Sequence, residues 1–303
     1  MKRREKEELT SLTGGKVRFG CSMSQLTTFR VGGDAEALYE AHESEDLGRV
    51  MAFLHKARIP YLVVGRGSNL LVKEEGVEGV VILLCGSLAT VKQEKPSDSK
   101  VLAGAGLPIS DFLIYCRGAG LGGLEFLAGI PGTVGGAVAM NAGAYGGEVG
   151  SRVRELEVMT PQGYVSVRDG SDLSFSYRRL DLERGSVILR VCFDLSPESE
   201  KVVAQRISGC LKRRREGHPL EYPSAGSVFR NPPGNYAGRL IEKAGLKGER
   251  IGGAMISEKH ANFIVNTGGA TAWDILALLF FAREKVKKAT GIKLEPEIRV
   301  VGR

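Results

Sequence analysis

Apolar residues at Leu47, Val50, Met51 and Leu54 recur at i, i+3, i+4 and i+7. That spacing predicts an amphipathic helix, capped by Ser44 and stopping before Pro60. The fifteen residues at the start of the chain, opening MKRREKEE, have no such period and read as a frayed charged tail. Beyond the helix, Tyr61-Leu-Val-Val is a short apolar run of the kind a buried strand makes. Gly65-Arg-Gly-Ser-Asn breaks it, Leu70-Leu-Val resumes it, and Val80 to Leu84 adds another strand. The polar gap from Gln93 to Lys100 marks a subdomain boundary. Val101 to Gly106 then reads as strand and turn, and Pro108 opens a helix with Ile109, Phe112, Leu113 and Cys116 on one side.

From Gly118 to Gly150 the period disappears and about a third of the residues are glycine. Glycine costs folding entropy, so such a run implies left-handed backbone or peptide N–H groups presented to something a Cβ would hold away. A phosphate-rich cofactor is the first candidate. A flexible linker is the alternative, but Leu124, Phe126, Leu127, Ile130, Val134, Val138 and Met140 all require burial.

After Gly150 the pattern turns to period two. Val153 to Thr160, the turn Pro161-Gln-Gly, Val165 to Arg168 and Val187 to Leu195 predict sheet strands with short connections. Pro197 and a charged helix ending near Arg215 lead to a further unit. It holds the loop Pro223 to Pro232, a helix around Tyr236 to Ala244, strands near Gly252 to Ile256 and Phe263 to Asn266, and a last helix. Thr271 with Asp274 forms a capping box for that helix, Gly291 ends it, and Trp273, Leu276, Leu279 and Phe280 form its buried stripe. No internal repeat occurs. The pattern implies an α+β protein with parts at 1–95, 96–198 and 199–303.

A chain of 303 residues, 43% hydrophobic and 25% charged, has enough apolar material for two or three ordinary globular cores. The apolar run Ile275 to Ala282 is too short to cross a bilayer, and no signal peptide is evident, so a cytoplasmic protein without membrane insertion is expected. Cys21, Cys85, Cys116, Cys192 and Cys210 are odd in number and lack CxxC spacing, which predicts reduced, buried thiols. The net charge of +7 raises the question of a nucleic-acid partner. Only Lys212 to Arg215 is concentrated, and no aromatic residues are interleaved there for stacking, so a small anionic ligand suits the charge better. A solvated helix face is the alternative for that run.

Metal chemistry has no support, because His42, His55, His218 and His260 are scattered and no HxxxH or HExxH occurs. There is no GxSxG and no GK[ST]. Gly65-Arg-Gly and Gly104-Ala-Gly each follow a strand, but Leu70 and Ile109 stand where a dinucleotide fingerprint needs its third glycine. These turns, like Gly129-Ile-Pro-Gly-Thr-Val-Gly-Gly, could instead present runs of free N–H groups, with Thr133 to Ala137 entering a short helix. Two such cradles could hold the two ends of a diphosphate. Pro223-Ser-Ala-Gly-Ser-Val-Phe-Arg-Asn-Pro could hold Ser227 rigidly with Asn231 nearby, and a plain turn is the alternative.

Gly65-Arg-Gly-Ser-Asn-Leu-Leu, Gly129-Ile-Pro-Gly-Thr-Val-Gly-Gly, Asn141-Ala-Gly-Ala-Tyr, Tyr177-Arg178, Ala225-Gly-Ser-Val-Phe-Arg-Asn-Pro and Leu294-Glu-Pro-Glu-Ile-Arg occur in this order across almost the whole chain. Together they resemble the UDP-N-acetylenolpyruvoylglucosamine reductase family. The resemblance implies an FAD domain of the vanillyl-alcohol-oxidase type, built of two α/β subdomains, followed by an α+β substrate domain. It also implies an NADPH-dependent reduction of UDP-N-acetylglucosamine enolpyruvate to UDP-N-acetylmuramate for peptidoglycan.

Carried over residue by residue, it places FAD on Gly65, Arg66, Gly67, Ser68, Asn69 and Leu70, and on Pro131, Gly132, Thr133, Gly135, Gly136, Ala137, Asn141 and Gly143. Arg178 would hold the substrate carboxylate, Ser227 would deliver a proton, and Glu297 would polarise the enol acid, with Glu295 structural. Tyr177, Arg215, Asn231, Lys247 and His260 would bind substrate, with an exposed lone histidine the alternative for His260. Only Leu180 to Ser186 follows Arg178, so the chain resembles the family's shorter form, without the tyrosine loop. No histidine lies in either glycine run, which implies non-covalent FAD, and a monomer is expected. The alternatives are a flavin oxidase using oxygen and a nucleotide-sugar-binding protein without redox chemistry.

Overall fold

The computed structural model describes residues 1–95 and 98–302. Pro96 and Ser97, inside the polar gap read as a subdomain boundary, lie outside the described residues. Helices and strands are mixed throughout, as the α+β pattern predicts. The chain forms two compact units: Met1–Phe19, Ala37–Gly65 and Gly79–Arg213 make the first, and Gly20–Glu36, Arg66–Glu78 and Arg214–Arg303 make the second.

In the first unit a five-stranded antiparallel sheet runs in the order Val165–Asp169, Val153–Met159, Val187–Asp194, Lys100–Gly104 and Val91–Lys92. Leu156 lies opposite Val191, which in turn lies opposite Ala103, so one sheet face is a continuous apolar surface. Ile109, Phe112, Leu113 and Cys116 of the helix Ile109–Gly118 pack into the same cluster as that surface. Phe112 and Phe193 meet with ring centroids 5.2 Å apart. The predicted stripe of the helix Ser44–Ala57 is wholly buried, with Leu47, Val50, Met51 and Leu54 all at 0% exposure.

Two local expectations fail here. Ser44 is the first helical residue rather than the cap, a position Glu43 takes without a side-chain bond. The charged beginning of the chain is a helix, Arg3–Leu12, because Leu9 is buried at 0% exposure in the cluster around Met51 and Leu54. One well-placed leucine outweighs the polar remainder.

The glycine-rich segment contains the short helix Val134–Ala139 and a hairpin of Gly143–Ala144 with Gly147–Glu148. The bodies pressing on its glycines are largely the chain's own side chains. A Cβ on Gly147 would stand 2.5 Å from Phe126 Cδ1, and one on Gly150 would stand 2.6 Å from Phe175 Cγ. The apolar residues Leu124, Leu127, Val134 and Val138 are buried beside them, which rules out a linker.

In the second unit, Arg250–Ile251, Ala254–Ile256 and Ile264–Asn266 form an antiparallel sheet, and Leu70–Val72 runs parallel to Arg299–Val301. The helix Ala272–Thr290 packs on this unit's core. Its capping box forms as predicted, with Thr271 Oγ1 accepting from Asp274 N, and Gly291 ends it at φ 75°. Its buried stripe differs. Leu276 and Leu279 are buried, but Trp273 is 60% and Phe280 48% exposed, and Ile275, Leu278, Ala282 and Val286 take their places. The stripe lies one position round the helix from the predicted one, because both rings fall outside the face that meets the sheet.

All five cysteines are free, but only Cys116 and Cys210 are buried. Cys21, Cys85 and Cys192 are half-buried, against expectation, because each lies on or beside a strand with only partial cover.

If Arg3–Leu12 is an integral helix, Leu9→Ala lowers stability by roughly 2–3 kcal/mol in denaturant unfolding. A frayed tail would lose less than about 0.5 kcal/mol.

Candidate active site

In the first unit, Gly65 closes the strand Tyr61–Val64 and abuts the second glycine run. A Cβ on Gly65 would stand 2.5 Å from Thr133 Oγ1. Thr133 caps the short helix, with Oγ1 accepting from Gly136 N at 3.3 Å.

The predicted run of free N–H groups is not present there. Val134 N donates to Leu107 O at 2.9 Å, Gly135 N to Ala105 O at 2.8 Å, and Ala137 N to Thr133 O at 2.9 Å. At Gly104, Ala105 and Gly106 the N–H groups are likewise spent on the carbonyls of Thr90, Leu189 and Leu88. Backbone this deeply packed must pair internally, and neighbouring strands supply the acceptors. Pro131 and Gly136 remain at the exposed edge of the loop.

Asn141 is buried and hydrogen-bonded on all sides, to Glu148, Ser176 and Gly150. Ser176 ends the strand Ser174–Ser176, which pairs with Arg179–Asp181. Tyr177 and Arg178 are thus the two-residue turn of a hairpin. Arg178 has φ 59°, in the left-handed region that a non-glycine residue enters only when held there. Its guanidinium carbon lies 5.0 Å from the Tyr177 ring centroid.

In the second unit, the turn after Arg66 keeps backbone donors open. The N–H groups of Gly67 and Ser68 have no hydrogen-bond partner among the described residues. Gly67 O accepts from Thr28 N at 3.4 Å, and the buried Thr28 Oγ1 has no partner among the described residues. Two backbone donors beside an unpaired buried hydroxyl suit a phosphate oxygen. Thr28 was not predicted, since a Thr-Thr-Phe segment carries no motif by itself. Arg66 is exposed beside this turn. Asn69 ties the turn to the end of the chain, through Nδ2 to Glu297 O at 3.3 Å and through its own carbonyl, which accepts from Arg299 N at 2.9 Å. Leu70 opens the following strand.

Ser227 and Glu297, far apart in sequence, sit on neighbouring backbone. Glu297 N donates to Val228 O at 2.8 Å, and Val228 N donates to Asn262 O at 2.9 Å. The buried Asn262 side chain bonds both backbone groups of Phe229, Nδ2 donating at 2.8 Å and Oδ1 accepting at 3.0 Å. A plain turn would not need that support. Glu295 is exposed while Glu297 is half-buried; residues two apart share a face in a regular strand, so the difference arises because the segment around Pro296 is not one.

A depression of about 380 Å³ is lined by Ser227, Asn231, Tyr236, Arg239, Glu242, Lys259, His260 and Asn262. Three predicted residues, Ser227, Asn231 and His260, therefore share one wall. Asn231 Oδ1 accepts from Ala237 N at 3.0 Å, which fixes its side chain at the start of the helix Ala237–Lys243. Lys247 Nζ lies 2.6 Å from Glu242 Oε1, at the depression's edge. Arg215 is exposed and lines no part of the depression, but its carbonyl accepts from Lys259 Nζ at 2.5 Å. Tyr236, Arg239 and Lys259 carry no sequence signal, because an exposed aromatic or cation on a polar segment has no distinguishing spacing.

His260 is neither lone nor fully exposed. Its ring meets His218 edge-on at 5.6 Å, and both pack on Phe263. Burial pushes the His218 pKa down to about 4, helped by the Arg214 charge, and burial also lowers that of His260. Asn262 N donates to His260 Nδ1 at 3.2 Å, so the neutral ring carries its proton on Nε2.

The family profile described as UDP-N-acetylenolpyruvoylglucosamine reductase, C-terminal domain, matches residues 218–301, and that described as FAD binding domain matches residues 35–167. A UDP-N-acetylenolpyruvoylglucosamine reductase of Geobacter metallireducens is 47% identical over 282 residues, 92% of each chain. One of Caldanaerobacter subterraneus subsp. tengcongensis is 41% identical over 292 residues, 96% of this chain and 95% of its own. The crystal structure of the Thermus caldophilus reductase superposes with a TM-score of 0.80 at 39% identity, covering 94% of this chain and 98% of its own.

The chain belongs to the UDP-N-acetylenolpyruvoylglucosamine reductase family. It is an FAD-dependent oxidoreductase with an FAD-binding domain followed by the reductase family's C-terminal domain. The reductase's unpaired donors at Gly67, Ser68 and Thr28 fit the diphosphate of that cofactor. No helix among the described residues is long and apolar enough to cross a membrane, and no cluster of metal-ligating side chains occurs among them.

The two histidines give a pH signature. Their native pKa values lie below 6.5, so the unfolded chain binds protons first, and stability should be full above pH 6.5 and fall as pH drops from there toward 4. His218→Gln is expected to flatten the fall in melting temperature between pH 6.5 and 5; identical slopes would contradict the assignment.

Proposed function

We propose that this reductase converts UDP-N-acetylglucosamine enolpyruvate to UDP-N-acetylmuramate in peptidoglycan biosynthesis, with NADPH as reductant. Bound FAD would supply the hydride carrier between NADPH and the vinyl carbon of the substrate. Residues 1–95 and 96–198 would serve the flavin, and 199–303 the substrate. The donors of Gly67 and Ser68, with Arg66 and Asn69, would hold the cofactor's diphosphate. Gly65 with Pro131 to Ala137, together with Gly143, would supply a close-packed wall. The cofactor would be held without a covalent bond, and the protein would act as a cytoplasmic monomer.

Hydride addition to an enolpyruvyl double bond leaves negative charge on the carbon beside the carboxylate, so that carbon needs a cation nearby and then a proton. Arg178 would bind the carboxylate through its planar fork. Ser227 would donate the proton. An ordinary hydroxyl is a weak acid, so its proton must be replaced through a hydrogen-bonded partner as it leaves. Glu297 would polarise the enol acid. Asn231, Lys247, His260 and Arg215, with Tyr177, would bind the nucleotide. His260, neutral with its proton on Nε2, would act as a hydrogen-bond donor to phosphate rather than as a cation.

The observation that carries this reading is the backbone bond from Glu297 N to Val228 O, next to Ser227, which itself lines the depression with Asn231, Arg239, Lys259 and His260. Ser227→Ala is expected to leave flavin reduction by NADPH intact and to slow flavin reoxidation by the enolpyruvyl substrate about 10²–10⁴-fold in anaerobic stopped flow. Equal loss in both half-reactions would exclude Ser227 as the proton donor.

A further inference from the structure

Asn141 lies in the glycine-rich segment, where the family resemblance assigns it to the flavin. Its surroundings say otherwise. The residue is 1% exposed, and its side chain makes three hydrogen bonds, each at 3.0 Å. Nδ2 donates to Glu148 Oε2 and to the Ser176 carbonyl, while Oδ1 accepts from Gly150 N. Those partners fix the orientation of the amide, since a carboxylate and a carbonyl only accept and a backbone N–H only donates. Both amide hydrogens are thereby spent, and the side chain has no donor left for a cofactor.

What Asn141 grips is the base of the Arg178 turn. Ser176 is the last strand residue before Tyr177 and Arg178 and pairs directly with Arg179. With only two residues in the turn and Arg178 at φ 59°, the backbone has every reason to relax unless its entry is held. The Asn141 bond to Ser176 O holds one side. Phe175, on the same entry strand, packs its ring into the Cβ space of Gly150. The guanidinium is housed by the same loop. A Cβ on Gly143 would stand 2.7 Å from Gly147 O, 3.0 Å from Glu148 Cγ and 3.3 Å from Arg178 Nη1, so the guanidinium lies close against this hairpin. Glu148 in turn orients the amide.

We propose that Asn141, oriented by Glu148, is a positioning residue that holds the Tyr177-Arg178 turn, and with it the Arg178 guanidinium, in its active setting. This rests on the role of Arg178 proposed above.

The test uses the FAD-loaded enzyme and separates the half-reactions. Asn141→Ala is expected to keep full FAD occupancy and, within about twofold, the NADPH reduction rate, while slowing reoxidation by the enolpyruvyl substrate about 100-fold. In an Arg178→Ala background the same substitution should add nothing. Loss of FAD, equal slowing of both half-reactions, or a further full effect on top of Arg178→Ala would overturn the proposal.

Should Asn141→Ala fail to fold, the exposed Glu148 offers a milder variant. Glu148→Ala should slow reoxidation alone by about tenfold, and Glu148→Gln, which keeps an acceptor for the amide, should restore it. Wild-type behaviour of Glu148→Ala would count against the proposal. Failure of the underlying assignment looks different, since Arg178→Ala would then reoxidise at the wild-type rate. Positioning would in that case be judged from the Arg178 Nε–H NMR signal, expected sharp in the wild type and exchange-broadened in Asn141→Ala or Glu148→Ala. An unchanged signal would overturn it.

Discussion

Phe126 and Phe175 stand where Cβ atoms on Gly147 and Gly150 would be, and Thr133 does the same at Gly65. This exclusion of Cβ atoms is the constraint on which the first unit depends. It lets the backbone of the segment from 118 to 150 approach side chains closely enough to bury Leu124, Leu127, Val134 and Val138, and it leaves the hairpin tip bearing Arg178 against a firm base. Glycine therefore serves the protein's own packing first and any cofactor second. The entropy it costs is offset by apolar burial that a bulkier residue would prevent.

The second unit solves a different problem with hydrogen bonds. Ser227 and Glu297 come from distant points of the chain, and short extended segments hold them in register through Val228, Asn262 and Phe229. Asn262 matters because a buried amide with both ends satisfied fixes a single arrangement, where an apolar side chain would allow several. The same residue's N–H sets the His260 tautomer. One buried asparagine thus orders both the backbone beside the proposed proton donor and a donor in the anion-suited depression.

Much of this was legible in the sequence, and the exceptions share a cause. The stripe of Leu47, Val50, Met51 and Leu54 and the capping box at Thr271 are local patterns, and they appear as predicted. Ser227, Asn231 and His260, expected from separate parts of the chain, line one depression. What failed depended on tertiary partners. Leu9 makes a helix of a charged segment by finding a core, and Trp273 and Phe280 stay exposed because the sheet meets another face. The N–H groups of Val134, Gly135 and Gly106 looked available until neighbouring carbonyls claimed them. A single chain gives no sign of which backbone donors a neighbouring strand will take. The open Gly67 and Ser68 donors lie in a turn that the motifs named, whereas the orphaned Thr28 hydroxyl has no sequence signal.

The central claim is that this chain carries electrons from a nicotinamide to an enolpyruvyl nucleotide sugar through non-covalent FAD. Anaerobic titration of the purified protein, followed by its flavin absorbance, tests it most directly. The account predicts a yellow protein whose flavin is released intact by denaturation, bleaches with NADPH, and recovers its colour on addition of stoichiometric UDP-N-acetylglucosamine enolpyruvate with formation of UDP-N-acetylmuramate. A folded protein without flavin, or one whose NADPH-bleached flavin stays reduced until oxygen is admitted, would contradict it.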